Sequence, residues 1–338
     1  MLAAASLATM FLLGGAGQAP AEASRLAAIL QRGFVTCGVE PAVPGFVEVD
    51  THGGYRGLDV DVCRAVATAI LGAPDRVRFV RVAHVTELSA NADIDLVARR
   101  LTWELRREQP LGLLFGPITF YDGQGFLVPR SAGVKAPADL ANRPVCVAGG
   151  PVFELNLGTY FAERSLPLNK VIVESPHAYD EIAAALRAGT CVAYSGDLSD
   201  LGAIRLRLPS GTYDILAELI SKEPLAPLVR DDDVRLFNIV RWTVFAMIRA
   251  EELGVRSTNV DAMRASGNPE VRRLLGEIPG NGRALGLRET WAADVVRLVG
   301  NYGEIFEKHV GRGSPLGLDR GLNRLWTDGG LMYAPPLR

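Results

Sequence analysis

Val35-Thr36-Cys37-Gly38-Val39 and, after a loop, Gly57-Leu58-Asp59-Val60-Asp61-Val62-Cys63-Arg64-Ala65-Val66-Ala67 are the stretches from which the architecture of this chain follows. The first is short, largely β-branched and free of charge, as a buried strand is. In the second, Val62, Cys63, Val66 and Ile70 fall on one face at helical spacing, so residues 59–71 read as a helix. Residues 77–82 read as the next strand, a helix begins near Thr86, and residues 94–98 read as a third strand. This β-α-β-α-β order is the signature of a parallel sheet with crossover helices. The same rhythm returns downstream. Residues 145–148 read as strand, 152–164 as helix, 171–174 as strand, Ala178–Ala188 as helix and 191–194 as strand. The expectation is an α/β protein of two lobes built alike, each a mostly parallel sheet flanked by helices.

Two stretches fit crossings between the lobes. Phe126-Leu127-Val128-Pro129 is extended and is followed by Ser131-Ala132-Gly133; Pro224-Leu225-Ala226-Pro227-Leu228-Val229 is the second. Residues 24–126 then form the first part of lobe one, 127–228 lobe two, and 229–338 the return to lobe one with a C-terminal helical extension. That return includes a helix over residues 234–251, with Phe237, Val240, Val244 and Met247 on one face.

Length and composition agree. At 338 residues the chain suits about two domains of ~150 each. Apolar residues at 48% and charged ones at 22% argue against disorder, collagen and a coiled coil. Lys and Arg total 36 against 38 Asp and Glu, a formal charge of −2 that gives no reason to expect nucleic acid as a partner. His52, His84, His177 and His309 form no HxxxH or HxH cluster, which argues against a histidine-rich metal centre.

Residues 2–17 are almost wholly apolar or small, and Ala21-Glu22-Ala23 supplies a small-x-small site after them. That is the pattern of a secretory signal peptide over residues 1–23, although no Lys or Arg precedes the apolar run. A buried N-terminal helix is the competing reading. Four cysteines fit export. Cys37, Cys63, Cys146 and Cys191 contain no CxxC pair, so a zinc ribbon or thioredoxin motif is excluded. They allow three pairings, of which chain order favours 37–63 and 146–191; four buried thiols are the alternative.

Catalytic signatures are scarce. No G-x-S-x-G elbow, P-loop or H-E-x-x-H occurs. Gly149-Gly150-Pro151 reads most simply as a plain strand-to-helix turn, yet it opens a helix whose first free amides, on Val152 and Phe153, suit a carboxylate. Asp197 follows the 191–194 strand and is placed to meet a cation, because ligands of parallel sheets gather at strand C-terminal ends. A helix N-cap is its equal alternative. Arg99, Arg100, Arg106 and Arg107 follow the 94–98 strand; four arginines so close usually mark a solvated helix face, but one of them can grip a carboxylate through a two-pronged bond.

Several stretches together carry a resemblance. They are Arg32-Gly33-Phe34 with Cys37-Gly38-Val39, the Gly57 to Ala67 run, Tyr121-Asp122-Gly123-Gln124-Gly125-Phe126 and Glu154-Leu155-Asn156-Leu157. Ser221-Lys222-Glu223-Pro224-Leu225, Gly300-Asn301-Tyr302-Gly303-Glu304-Ile305-Phe306 and Gly329-Gly330-Leu331-Met332-Tyr333-Ala334-Pro335-Pro336 complete the set. The chain resembles the amino-acid-binding proteins of bacterial ABC transporters, in their general L-amino-acid branch (solute-binding protein family 3). The resemblance implies the two-lobed type II periplasmic binding protein fold with two hinge crossings. It implies a monomeric periplasmic protein that closes on a free L-amino acid or related small zwitterion and delivers it to ABC permease subunits, with no cofactor. It assigns Arg107 and Thr102 to the ligand carboxylate and Asp197 to its ammonium, and it brings Glu40, Val43 and Phe46 to the ligand side chain.

The chain departs from that pattern in two places. Gly150-Pro151-Val152 stands where the family has a hydroxyl-bearing Gly-Thr-Thr-like turn, and Ala98, Arg100 and Leu101 stand where it has small polar residues. Arg100 is expected to reach into the cleft and to pair with Glu40, since an unpaired buried charge costs several kcal/mol. Two rival functions remain at this level: a secreted enzyme on the same scaffold, acting on a small cyclic acid with Glu40 as its acid/base, and a sensory or altered-ligand binding protein.

Overall fold

The computed structural model describes residues 24–338, save Pro41, Val85, Pro110 and Leu111. The expected signal peptide, residues 1–23, lies outside the described residues.

The strand Val35–Val39 is buried along its whole length, and it sits inside a five-stranded sheet. It runs parallel to Val77–Arg81 on one side and to Leu96–Ala98 on the other. Burial on both faces explains its unbroken apolar sequence. Leu228–Arg230 joins antiparallel to Leu96–Ala98, and Leu113–Phe115 closes the far edge. The helix Leu58–Leu71 covers one face, and its side chains are almost all buried. Its entry needs a glycine. Gly57 has φ +137°, and a Cβ there would stand 2.0 Å from the Phe46 carbonyl oxygen.

The second sheet repeats the plan. Asn169–Val173, Pro144–Ala148 and Ala193–Asp197 are parallel neighbours in that order. Gln124–Pro129 and Tyr213–Ile215 continue the sheet with antiparallel pairings. Apolar clusters lie on both faces of each sheet. The bridges are Cys37–Cys63, joining strand to helix in the first unit, and Cys146–Cys191, joining the strand Pro144–Ala148 to the connection before Ala193–Asp197 in the second.

Some element ends differ from the sequence reading. The extended stretch 126–129 is part of Gln124–Pro129, a strand inside the second sheet. The chain crosses earlier, at Phe120–Asp122, which pairs antiparallel with the returning Glu223–Leu225. The strand read over 191–194 runs instead from Ala193 to Asp197, because Gly196 and Asp197 find partners in Gly125 and Gln124. The third strand is shorter than 94–98, starting at Leu96. Asp95 just before it still donates its amide to the Thr36 carbonyl at 3.0 Å, and its buried carboxylate accepts from the Thr36 amide and from Arg32.

The C-terminal extension belongs to the first unit. The helix Val234–Glu252 starts at Asp233, whose carboxylate accepts from the Leu236 and Leu26 amides. The helices Trp291–Leu298 and Tyr302–His309 pack on it and on Leu58–Leu71. The extension also reaches the crossing. Asn323 exchanges hydrogen bonds with both backbone groups of Tyr121, and the Tyr302 hydroxyl donates to the Thr119 carbonyl. Among the described residues no helix is long and apolar enough to cross a membrane.

Candidate functional site

The C-terminal ends of the two central strands, Leu96–Ala98 and Ala193–Asp197, deliver charged residues to one place between the sheets. Ala98 is followed by Arg99 and Arg100. Arg100 takes a positive φ of 47°, a conformation costly for a side-chain-bearing residue. The Asp59 carboxylate, at the start of Leu58–Leu71, accepts from the Arg100 amide at 3.1 Å. So held, the Arg100 side chain leaves its own sheet. Its Nε donates to Glu40 Oε2 at 3.1 Å. Its Nη1 donates to Ser199 Oγ at 2.7 Å and to Asp200 Oδ1 at 2.9 Å. Ser199 and Asp200 lie on the helix Leu198–Arg205 of the second unit, so one guanidinium spans the cleft. Phe46 packs beneath it, with the guanidinium carbon 5.5 Å from the ring centroid. The Phe46 ring itself is 1% exposed and meets Phe120 edge-on.

Asp197 closes its strand and precedes the helix Leu198–Arg205, but its side chain makes no capping hydrogen bond. Its Oδ1 is buried without a donor. Burial, then the nearby charges of Asp122, Asp200 and Glu223, push its carboxyl up to about 9. Asp122, at the end of the crossing strand, is pushed up to about 6, chiefly by burial. Asp59 is raised to about 7 by burial and by Glu40. Burial disfavours the charge on Arg100 too, but Asp200 and Glu40 more than offset it and hold the guanidinium charged. The cleft thus carries more carboxylate than its own cations neutralise. A positively charged ligand group relieves that imbalance. Among the described residues these carboxylates form no group placed to hold a metal ion.

Arg107 sits on the single turn Leu105–Glu108, none of whose residues is buried. Its guanidinium pairs with Glu104 at 2.9 Å and donates to the Thr102 carbonyl at 3.0 Å. The Thr102 hydroxyl donates to Glu223 Oε2 at 2.7 Å, which ties the arginine-bearing loop to the crossing strand. Val152 lies in the first turn of Pro151–Glu163 with its side chain exposed, and Gly150 offers that helix no side-chain cap. Arg99 keeps its Nε buried without an acceptor, and its nearest carboxylate, Glu40, is 4.0 Å away.

Sequence reading named Glu40, Phe46, Arg100 and Asp197, and the structure brings Glu40, Phe46 and Arg100 into contact. It missed Asp200 and Ser199, although the run Asp197-Leu198-Ser199-Asp200 follows directly from a residue it had singled out. It also missed the charges of Asp59 and Asp122, which it quoted only within the stretches that carry the resemblance. No local pattern marks either, because each becomes part of the cleft only through sheet packing.

A separate cavity of about 780 Å³ lies behind the crossing, lined by Leu198, Arg205, Ile215, Arg312, Leu318 and Arg320 among others. Arg312 and Arg320 there are already paired, with Asp319 and Glu251. The cleft, with its unpartnered carboxylate, is the stronger candidate.

Residues 35–261 match the family described as bacterial extracellular solute-binding proteins, family 3. The general L-amino acid-binding periplasmic protein AapJ of Rhizobium johnstonii is 44% identical over 95% of this chain and 95% of its own length. The glutamate/glutamine/aspartate/asparagine-binding protein BztA of Rhodobacter capsulatus is 40% identical over 98% of each. A periplasmic binding protein from Brucella ovis, solved with glutathione bound, superposes with a TM-score of 0.81 at 40% identity. That superposition covers 94% of this chain and 100% of the Brucella chain.

Proposed function

This chain belongs to the bacterial extracellular solute-binding proteins of family 3, and from that premise we propose that it captures a free amino acid in the periplasm and delivers it to an ABC permease. The observation that carries the reading is Asp197, a buried carboxylate at the end of a central strand with one oxygen lacking a donor. An α-ammonium supplies the missing donors and the missing charge. The ligand carboxylate is assigned to Arg107, released from Glu104, with Thr102 beside it and the free amides of Val152 and Phe153 facing it from lobe two. Ligand then links the two sheets, which turn about the paired crossings Phe120–Asp122 and Glu223–Leu225. Closure excludes water and strengthens each charge contact. The family reading leaves no place for the enzymatic rival.

A thermal-shift screen against the twenty amino acids tests this. A ligand at 100 times its dissociation constant adds ~2.7 kcal/mol to stability, a shift easily seen. Glutathione belongs in the panel, because the Brucella ovis relative was solved with it and it too ends in a free α-amino acid. No shift with any member overturns the proposal.

A further inference from the structure

We infer that Arg100 is a built-in occupant of the cleft's cation-binding subsite, and that it makes the protein accept neutral or acidic amino acids while rejecting arginine and lysine. The inference rests on the amino-acid reading above and adds the ligand class. Glu40 from lobe one, Asp200 and Ser199 from lobe two, and the face of Phe46 converge on one point. Two carboxylates, a hydroxyl and an aromatic ring around a guanidinium make a receptor for a basic side chain. Here the guanidinium comes from the chain itself. Its side chain is 13% exposed, and its backbone is held at φ 47° to aim it.

A free arginine or lysine must evict that group to reach the same carboxylates. Eviction leaves Arg100 without its partners in a confined space, so the wrong ligand is penalised by an unpaired charge. What the site still lacks is different in kind. Asp197 has an oxygen without a donor, and Arg99 has a buried Nε without an acceptor. The ligand's α-ammonium satisfies the first and an amide or carboxylate on its side chain the second, which describes an amino acid whose side chain adds no positive charge.

The test compares the wild type with R100G, R100K and R100Q by thermal shift and calorimetry. The probes are arginine, lysine, glutamine, glutamate and methylguanidinium. Glycine suits the positive φ, so R100G keeps the backbone and empties the subsite. The wild type is expected to respond to glutamine or glutamate and not to arginine or lysine. R100G is expected to gain at least tenfold in arginine affinity, about 1.4 kcal/mol, and to be stabilised by methylguanidinium, which leaves the wild type unchanged. R100K, which keeps the charge, is expected to show no such gain. If R100G does not fold, R100Q carries the same expectation. Arginine or lysine binding to the wild type overturns the inference, as does the absence of any gain in the uncharged variants. A wild type silent to every amino acid, beside an R100G that takes methylguanidinium, sinks the transport reading and leaves the subsite standing.

Discussion

His309 Nε2 lies 2.6 Å from Asp61 Oδ2, which joins the helix Tyr302–His309 to the helix Leu58–Leu71. Lys308 Nζ reaches the same oxygen at 3.1 Å, and Arg64 holds the other at 3.0 Å. The C-terminal extension is thereby fastened to lobe one, and through Asn323 it also holds Tyr121 at the crossing. A rigid lobe on one side of the hinge is what lets a small ligand contact steer the other.

Acid is expected to loosen that junction. Burial alone raises the Asp61 carboxyl, but the hydrogen bond and charge of His309, and then Lys308, outweigh it and hold it at about 2. A carboxyl held below its unfolded value adds stability that is complete above about pH 4 and is lost as pH falls through about 2. The amount is on the order of 2 kcal/mol. D61N removes the carboxylate that Arg64, Lys308 and His309 share and is expected to lower stability at neutral pH by about 3–5 kcal/mol. It is also expected to flatten the acid limb of the curve of thermal midpoint against pH. An acid limb identical to that of the wild type would refute the assignment.

Asp197 is expected to behave in the opposite sense. Its carboxyl is raised to about 9 by burial and by neighbouring carboxylates. Between the ordinary carboxyl range and that value the folded chain keeps a proton that the unfolded chain has lost, so the empty protein loses stability as pH rises. D197N removes this slope and is expected to stabilise the empty protein at neutral pH by about 1–3 kcal/mol, because folding no longer has to desolvate or protonate a carboxylate. Melting curves from acid to alkaline pH check both statements, and parallel slopes in the two proteins would sink them.

Ligand capture at neutral pH is expected to release that proton, because an ammonium favours the carboxylate. Affinity then rises with pH towards about 9. Calorimetry in buffers of different ionisation enthalpy measures the release directly. Heats independent of buffer would show that Asp197 is not the ammonium partner.

Arg107→Ala is expected to weaken ligand binding at least a hundredfold, or about 2.7 kcal/mol. The thermal midpoint of the empty protein should move little. The side chain is 35% exposed and its partner Glu104 49% exposed, and a pair so placed contributes about 0–1 kcal/mol. Unchanged affinity in this variant would remove Arg107 from the site.

Each disulfide is expected to matter through the unfolded chain. Cys37–Cys63 and Cys146–Cys191 join residues 26 and 45 positions apart. Loop-closure entropy assigns them about 3.5 and 4 kcal/mol. All four cysteines are fully buried, so reductant is expected to act only on the unfolded chain. Paired Cys→Ala variants, unfolded in denaturant, give the two values separately. A variant as stable as the wild type would exclude that bridge from the stabilising set.

The sequence alone determined the α/β rhythm, the two repeated units and the pairing order favoured for the cysteines. Those features are written in local periodicity and chain order, as in the apolar run Val35–Val39 and the one-sided helix after Gly57. It also identified Asp197 and Arg100 as charged residues at strand ends. Only the tertiary structure decided where the chain crosses, because a strand such as Gln124–Pro129 is told from a linker by the partners it finds, Asp197 and Gly196 among them. Only the tertiary structure showed that Arg100 reaches Asp200, a residue 100 positions away. Charge pairing across a cleft depends on distance in space, and two carboxylates far apart in a sequence carry no mark that one guanidinium will serve both.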